Sequence, residues 1–360
     1  MRDVFVLHRP AMPTVRAASL QVVLASHAWA RRGHVVRLPI EPVVSTDPAE
    51  VLRSLGLAPV PTLHLAVLPR SRTLASVTMR AWAASWLLAT RGGEVWVRNW
   101  RYAALVAPWL GRRARLIFEA HEVGSASARE AGTEWRSLFA MEQRVLRAAS
   151  ALICNAPGTQ RLLTELHGDL PPTVVAHNAT SVDRIRRQPR GEGVGYVGSL
   201  RDDKDCAILA AAAHRMPWPV TVVGAEPDAA LRFGAQHGSQ VRLLGPVPYP
   251  QVPDVLAQFR VLVLPLGTGL FGTSLTSPLK LWDYLASGVP VVGADTDALR
   301  AAAPGQFTPY EPGNVASLVT AIQSVYDDEA ARVSAQTRTA VRSWDERAET
   351  LDHWLESVFR

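Results

Sequence analysis

The chain has 360 residues, with 38 Lys plus Arg against 32 Asp plus Glu, a formal net charge of +6, and 48% hydrophobic and 19% charged residues. That length suggests two domains of roughly 150–200 residues, each able to bury a core, and the composition excludes a disordered chain. No run approaches the roughly 18 uninterrupted apolar residues of a transmembrane helix, and the apolar stretch in MRDVFVLHRP is too short for a signal peptide. The two cysteines, Cys154 and Cys206, lack CxxC or CxxH spacing; this argues against a disulfide framework or a structural zinc site and fits a reducing compartment. The expected location is the cytoplasm, peripheral contact at the inner membrane face being the alternative. Residues 1–175 hold 21 basic and 12 acidic residues, a net of +9, whereas residues 176–360 hold 17 and 20, a net of −3. A basic first half suits an acidic partner such as anionic lipid or a phosphorylated acceptor. No recognised nucleic-acid module accompanies the charge, so no nucleic acid is expected.

In chain order, DVFVL (3–7) has the short apolar run of a buried parallel strand. Residues 15–32 have helical periodicity and stop at Gly33. HVVRL (34–38), LHLAVL (63–68), EVWVR (94–98), RLIFEA (115–120) and ALICN (151–155) read as further strands, with helical stretches such as 133–149 between them. DRIRRQPRGEG (183–193) reads as a linker. A second series follows: VGYVG (194–198), PVTVVG (219–224), QVRLLG (240–245), RVLVLPL (260–266) and VPVVGAD (289–295). Strand–helix alternation of this kind marks a doubly wound parallel sheet, whose ligands bind at the carboxyl ends of the strands. The expectation is two Rossmann-like α/β domains, 1–183 completed by 343–360, and 184–342. They are expected to face each other across a cleft, with the C-terminal helix crossing back to the first domain. That helix carries Trp344, Leu351, Trp354, Leu355 and Val358 on apolar positions.

Of the 38 basic residues only Lys204 and Lys280 are lysines; the other 36 are Arg. Both lie where a phosphate-facing loop is expected. In SPLKLWDYLASGVPVVG (277–293), Ser277 is expected to cap a helix with Pro278 in its first turn. The unbonded N–H groups and dipole of such a start form an anion site, and Lys280 adds charge to it. Asp283 lies about one turn on, where a carboxylate suits sugar hydroxyls. In YVGSLRDDKD (196–205) a strand ends at Gly198 and Lys204 stands at the mouth of the next helix, at the carboxyl end of the second series' first strand.

These segments resemble those of the GT-B retaining glycosyltransferases of family 4, often called group 1. GSLRDDK (198–204), VVGAEP (222–227), 242–266, SPLKLWDYLASGVPVV (277–292) and SWDERAETL (343–351) carry the resemblance, which spans nearly the whole chain. It implies that the second domain binds a nucleoside diphosphate sugar. Lys204 would grip the diphosphate, Ser277 and Leu279 would lie on the loop capping it, and Asp283 would hold the ribose. Gly198, Ser199, Arg201, Pro278 and Lys280 complete the donor set. The first-domain strand end FEAHEVG (118–124) matches the place of a His or acidic residue beside the reacting sugar. His121 and Lys204 are therefore the candidate catalytic residues. Arg98, Glu119 and Glu122 fall on the acceptor side, the glutamates as second choices for the role of His121. The acceptor is expected to be a glycan, a lipid or a small molecule. In the family picture attack comes from the front face, the leaving phosphate oxygen takes the acceptor proton, and neither a carboxylate nucleophile nor a metal is required.

The sequence departs from that pattern in places. Leu275 stands where the first of two acidic residues often lies, Ser199 follows Gly198 where many members have Arg, and HRPAMPTVRAAS (8–19) lacks the usual Gly-Gly turn. Two alternatives stay open: a GT-B sugar-nucleotide 2-epimerase, which would share donor binding, and a non-catalytic donor-binding subunit, which Leu275 and Ser199 motivate. Asp295-Thr296-Asp297 spells a metal-binding D-x-D but is read as a helix N-cap. No GxGxxG or Walker lysine is present. Trp82, Trp86, Trp96, Trp100 and Trp109, with Arg98, Arg101, Arg112, Arg113 and Arg115 beside them, are read as first-domain core with charged helix ends rather than a membrane-facing patch.

Overall fold

The computed structural model describes residues 1–12, 17–42, 47–69, 72–111, 113–181, 191–200, 205–338 and 341–360. Arg201, Lys204, Arg112 and most of the segment read as a linker lie outside the described residues. The chain folds into two compact units, Met1–His177 with Trp344–Arg360, and Asn178–Ser343. It thus leaves the first unit at His177 and returns to it at Trp344.

The first unit is built on strands β1 (Asp3–Val6), β2 (Ala11–Met12), β3 (Val35–Pro42), β4 (Leu63–Val67), β5 (Gly93–Val97), β6 (Ala114–Ala120), β7 (Ala151–Cys154) and β8 (Thr173–Val175). Their order is β2-β3-β1-β5-β6-β7-β8, with β4 also on β3, and every pairing is parallel. The second unit holds β9 (Val194–Val197), β10 (Val220–Val223), β11 (Val241–Leu244), β12 (Val261–Leu264), β13 (Val291–Ala294) and β14 (Thr308–Tyr310). These run β11-β10-β9-β12-β13-β14, again all parallel. The central strands β5, β7, β9, β12 and β13 are buried along their whole length. That is why they read as unbroken apolar runs: helices cover both faces of a parallel sheet.

Three strands escape the sequence reading: β2, β8 and β14. Each has two or three residues and stands at an end of its sheet order. Short edge strands carry too few apolar residues to show a period. The tryptophans pack as expected for a core, with one exception. Trp82 and Trp86 lie 4.9 and 5.4 Å from the Phe5 ring, Trp96 is 4.7 Å from Trp29, and Trp100 is 4.1 Å from Phe118. Trp109 is 74% exposed. Both cysteines are free and buried, and no described helix is long and apolar enough to cross a membrane.

The two sheets share one topological property that fixes where a ligand belongs. In the first, the chain winds outward in opposite directions from the β1/β5 pair; in the second it does so from β9/β12. Where the winding reverses, the loops at the carboxyl ends diverge and open a crevice. His8 and Arg98 leave the first switch point. Gly198 and the 265–278 loop leave the second.

Candidate active site

In the second unit the site is built around the end of β9. Tyr196 is fully buried and its hydroxyl donates to the Ser199 carbonyl at 3.0 Å, tying down the loop that begins there. Gly198 lies under Lys280. A methyl group on Gly198 would overlap Lys280 Cε, lie 2.6 Å from its Nζ and 2.9 Å from the Tyr196 hydroxyl, so only glycine leaves room for the lysine to cross. The Lys280 Nζ stands 5.5 Å from the centre of the Tyr196 ring, a cation–π contact that helps place it. Lys280 also belongs to the first turn of the helix Leu279–Ser287. The switch point therefore gathers a point charge and a helix start, both favourable to an anion.

The start of that helix differs from the expectation. Ser277 does not cap it; the cap position is Pro278, in extended conformation, and no side chain bonds the first N–H groups. The Ser277 hydroxyl instead accepts the Asn178 backbone N–H at 2.9 Å, and the Asn178 amide donates to the Ser277 carbonyl. Burial explains the change. Asn178 and Ser277 are 5% and 4% exposed, so each other's polar atoms replace the water they lost. Gly288 closes the helix in the left-handed conformation at φ 74°.

Asp283 accepts a hydrogen bond from the Thr180 hydroxyl at 2.5 Å. Burial pushes its carboxyl up to about 7, against the Thr180 hydrogen bond and the Lys280 charge, which both pull it down. Its folded pKa therefore lies above the unfolded value, and the folded state binds the extra proton between about pH 4 and 7. Stability must fall as pH rises through that window. Asp283→Asn is expected to remove this part of the slope and to raise the melting temperature at pH 8 but not at pH 4, as a pH series of thermal melts will show. Leu275, at the place of the family's first acidic residue, is fully buried at the end of a single π turn, Phe271–Leu275.

The D-x-D segment is a helix start, as read, but the capping atom is the Thr296 hydroxyl oxygen, which accepts the Leu299 N–H at 3.3 Å. Asp295 and Asp297 both bind Arg300, at 2.6 and 2.9 Å. No group of three or more His, Cys, Asp or Glu side chains suited to a metal occurs among the described residues.

The first unit gathers a second cluster at the ends of β1, β5 and β6. Glu119, the penultimate residue of β6, is 6% exposed. Its Oε1 accepts from Arg347 Nη2 at 2.7 Å and from the Gln21 amide at 3.5 Å, and meets His121 Nε2 at 3.0 Å. Burial alone would push the Glu119 carboxyl up; Arg347, then His121 and Arg98, reverse this and hold it well below the usual range. His121 is pushed down to about 4 by burial and by Arg98, with Glu119 opposing. His8 is likewise lowered to about 4, by burial, Arg98, His121 and Arg9. Arg98 falls to about 10 through burial, opposed by Glu119. Both histidines are thus neutral at pH 7, beside cations that keep them so. A cavity of about 30 Å³, roomy enough for one water, is lined here by His8, Gln21, Arg98 and Glu119 with Val22 and Trp96. Glu122 stands at the edge of the cluster: its side chain is exposed, its carbonyl accepts from Trp100 Nε1 at 3.4 Å, and its charge acts on Arg98.

Behind this cluster lies Glu142, fully buried. It accepts the Ser125 backbone N–H at 2.9 Å and its hydroxyl at 2.5 Å, and pairs with His167 at 3.0 Å. It holds the start of the short helix Gly124–Glu130, and so the turn that carries His121. Sequence reasoning passed over His8, Gln21, Thr180, Asn178 and Arg347. Arg347 alone left a trace: it is three residues from Trp344 and four from Leu351, a charge on the apolar stripe of the last helix.

Residues 18–179 match the family described as glycosyl transferase 4-like domain, and residues 191–328 match the family described as glycosyl transferases group 1; together they take in 300 of the 360 residues. The chain belongs to the group 1 glycosyl transferases. It is a transferase, and its two parallel-sheet domains are those of the GT-B fold. Among solved structures, sucrose-phosphate synthase from Thermosynechococcus elongatus superposes with a TM-score of 0.77 at 16% identity, covering 100% of this chain and 99% of that one. Anabaena HepE in complex with UDP and glucose gives 0.73 at 14% identity, covering 99% and 100%. The catalytic domain of starch synthase IV from Arabidopsis thaliana, bound to ADP and acarbose, gives 0.70 at 13% identity, covering 100% and 99%. No curated protein matches this glycosyltransferase by sequence.

Proposed function

We propose that this glycosyltransferase is a retaining enzyme of family 4 that moves a sugar from a nucleoside diphosphate donor to an acceptor held by its first unit. The observation that carries the reading is the Lys280 amine laid across Gly198 at the β9/β12 switch point, in the first turn of an uncapped helix start. As the sugar–phosphate bond breaks, the diphosphate gains negative charge. Cations and N–H groups fixed in advance at that place lower the barrier without reorganising. Lys280 and the 277–280 start supply them, the sequence resemblance adds Lys204 and Arg201 to the diphosphate, Asp283 takes the ribose hydroxyls, and no metal is required. His121, neutral and held by Glu119, offers its second ring nitrogen to a sugar or acceptor hydroxyl. The UDP–glucose and ADP complexes of the structural neighbours support a nucleotide-sugar donor.

The test is transfer assayed in EDTA with a panel of nucleoside diphosphate sugars, after a thermal-shift screen for the one that binds. A bound donor raises the melting temperature by mass action. The wild type should transfer, and Lys204→Ala should lose turnover by a factor of about 100 or more at unchanged stability. Wild-type turnover in Lys204→Ala sinks the assignment of the diphosphate site. Epimer accumulation from donor alone, seen by NMR, sinks the transferase reading in favour of an epimerase.

A further inference from the structure

Arg347 comes from the C-terminal helix Trp344–Val358, 228 residues after Glu119, yet among the described residues it is the largest of the fully buried side chains, 2% exposed. Each nitrogen the structure shows bonding has a defined target. Nε donates to the His177 carbonyl at 2.8 Å, and Nη2 donates to the Ala176 carbonyl at 3.3 Å and to Glu119 Oε1 at 2.7 Å. The same Glu119 oxygen meets His121 Nε2 at 3.0 Å. An ionised carboxylate has no proton to give, so the His121 proton on that contact must belong to the imidazole. Loss of the cation would change this. A buried carboxyl without a cation takes up a proton, becomes a donor, and lets the imidazole proton move to the other nitrogen. The groups facing His121 from each neighbouring element are Glu119 on β6, Gln21 on the helix Ala17–Arg31, Arg98 past β5, His8 past β1, and Arg347. The Gln21 amide nitrogen, a donor, stands 3.3 Å from the same His121 Nε2 and would favour a bare nitrogen there; the shorter 3.0 Å contact to an ionised carboxylate favours a proton on it, and a charge-assisted bond is the stronger of the two. Only Glu119 is acidic, and Arg347 is the cation bonded to it.

We propose that Arg347 is a positioning residue for His121: by pairing with Glu119 it keeps that carboxylate a pure acceptor, fixes the imidazole proton on Nε2 and leaves Nδ1 as the basic nitrogen. The neutral imidazole has two tautomers, and the group bonded to one nitrogen decides which is present. Arg347 also grips the carbonyls of Ala176 and His177, the last residues before the chain leaves the first unit. The orientation of His121 is thereby tied to the last two residues of the first unit's long segment. This inference rests on the reading of His121 as a candidate catalytic residue, but its test does not require a donor.

Full-length protein labelled with 15N-histidine gives long-range 1H–15N spectra in which the two tautomers are distinct, and His121→Gln identifies the His121 signals. In the wild type at pH 7 His121 is expected as the Nε2–H tautomer alone. Arg347→Gln, which is polar but carries no charge, should convert it to a mixture with Nδ1–H, while Arg347→Lys should keep the wild-type pattern. A folded Arg347→Gln protein that retains Nε2–H alone overturns the proposal. So does an Nδ1–H tautomer in the wild type, which decides the matter if the variant fails to fold. A protein that binds no nucleoside diphosphate sugar in the thermal-shift screen would overturn the proposed function and leave this test standing.

Discussion

Gly198→Ala is expected to cut sugar transfer by about 100-fold or more while barely changing the melting temperature. The added methyl would overlap Lys280 Cε, the far end of a flexible side chain, and approach the Tyr196 hydroxyl to 2.9 Å. The lysine can swing aside at a cost of about 1 kcal/mol or less. Function has no such freedom. The amine must stand where the diphosphate charge develops, and the loss of one preorganised donor at such a place costs about 100- to 1,000-fold in kcat. Steady-state kinetics and a thermal melt on the same preparation separate the effects. Full turnover in Gly198→Ala would show that Lys280 does not act from the place it occupies over Gly198. A collapse in melting temperature would instead mark Gly198 as structural.

Glu119→Ala is expected to destabilise the protein by about 3–5 kcal/mol, the usual cost of breaking a buried ion pair from one side. The reason is the partner left behind: Arg347 is 2% exposed and would keep its charge without a counter-ion. Replacing both members, Glu119→Leu with Arg347→Met, should recover most of that stability, because an apolar pair of similar volume has no charge to desolvate. The double variant should remain inactive, since His121 would lose the acceptor at 3.0 Å that orients it. Chemical denaturation of the two variants measures the first effect and a transfer assay the second. Equal destabilisation in the single and double variants would show that the pair's packing, not its charge, is what the fold needs.

Much of the candidate site was legible in sequence because its chemistry needs particular residues at particular places along the chain. The Pro278-Leu279-Lys280 helix start, the strand ending at Gly198 and the strand end carrying Glu119 and His121 are local patterns. So were the eleven strands that show apolar runs. The three missed strands are edge pieces too short to carry a period. The misreading of Ser277 has another origin. A serine before a proline and a helical stretch is a good N-cap by every local rule, yet here its hydroxyl is taken by Asn178, 99 residues earlier. A long-range partner outbid the local one because both groups are buried and neither has water to fall back on.

The sequence by itself determined two α/β units, parallel sheets and the helix start and strand end near which Lys280, Asp283 and His121 lie. Period and punctuation are properties of neighbouring residues, and the backbone reads them directly. Only the tertiary structure decided what those residues touch: Lys280 across Gly198, Thr180 on Asp283, and Arg347 on Glu119 at a separation of 228 residues. Such pairs form because a buried polar group must find a partner wherever the fold brings one. The distance along the chain at which that happens leaves no mark on the local pattern.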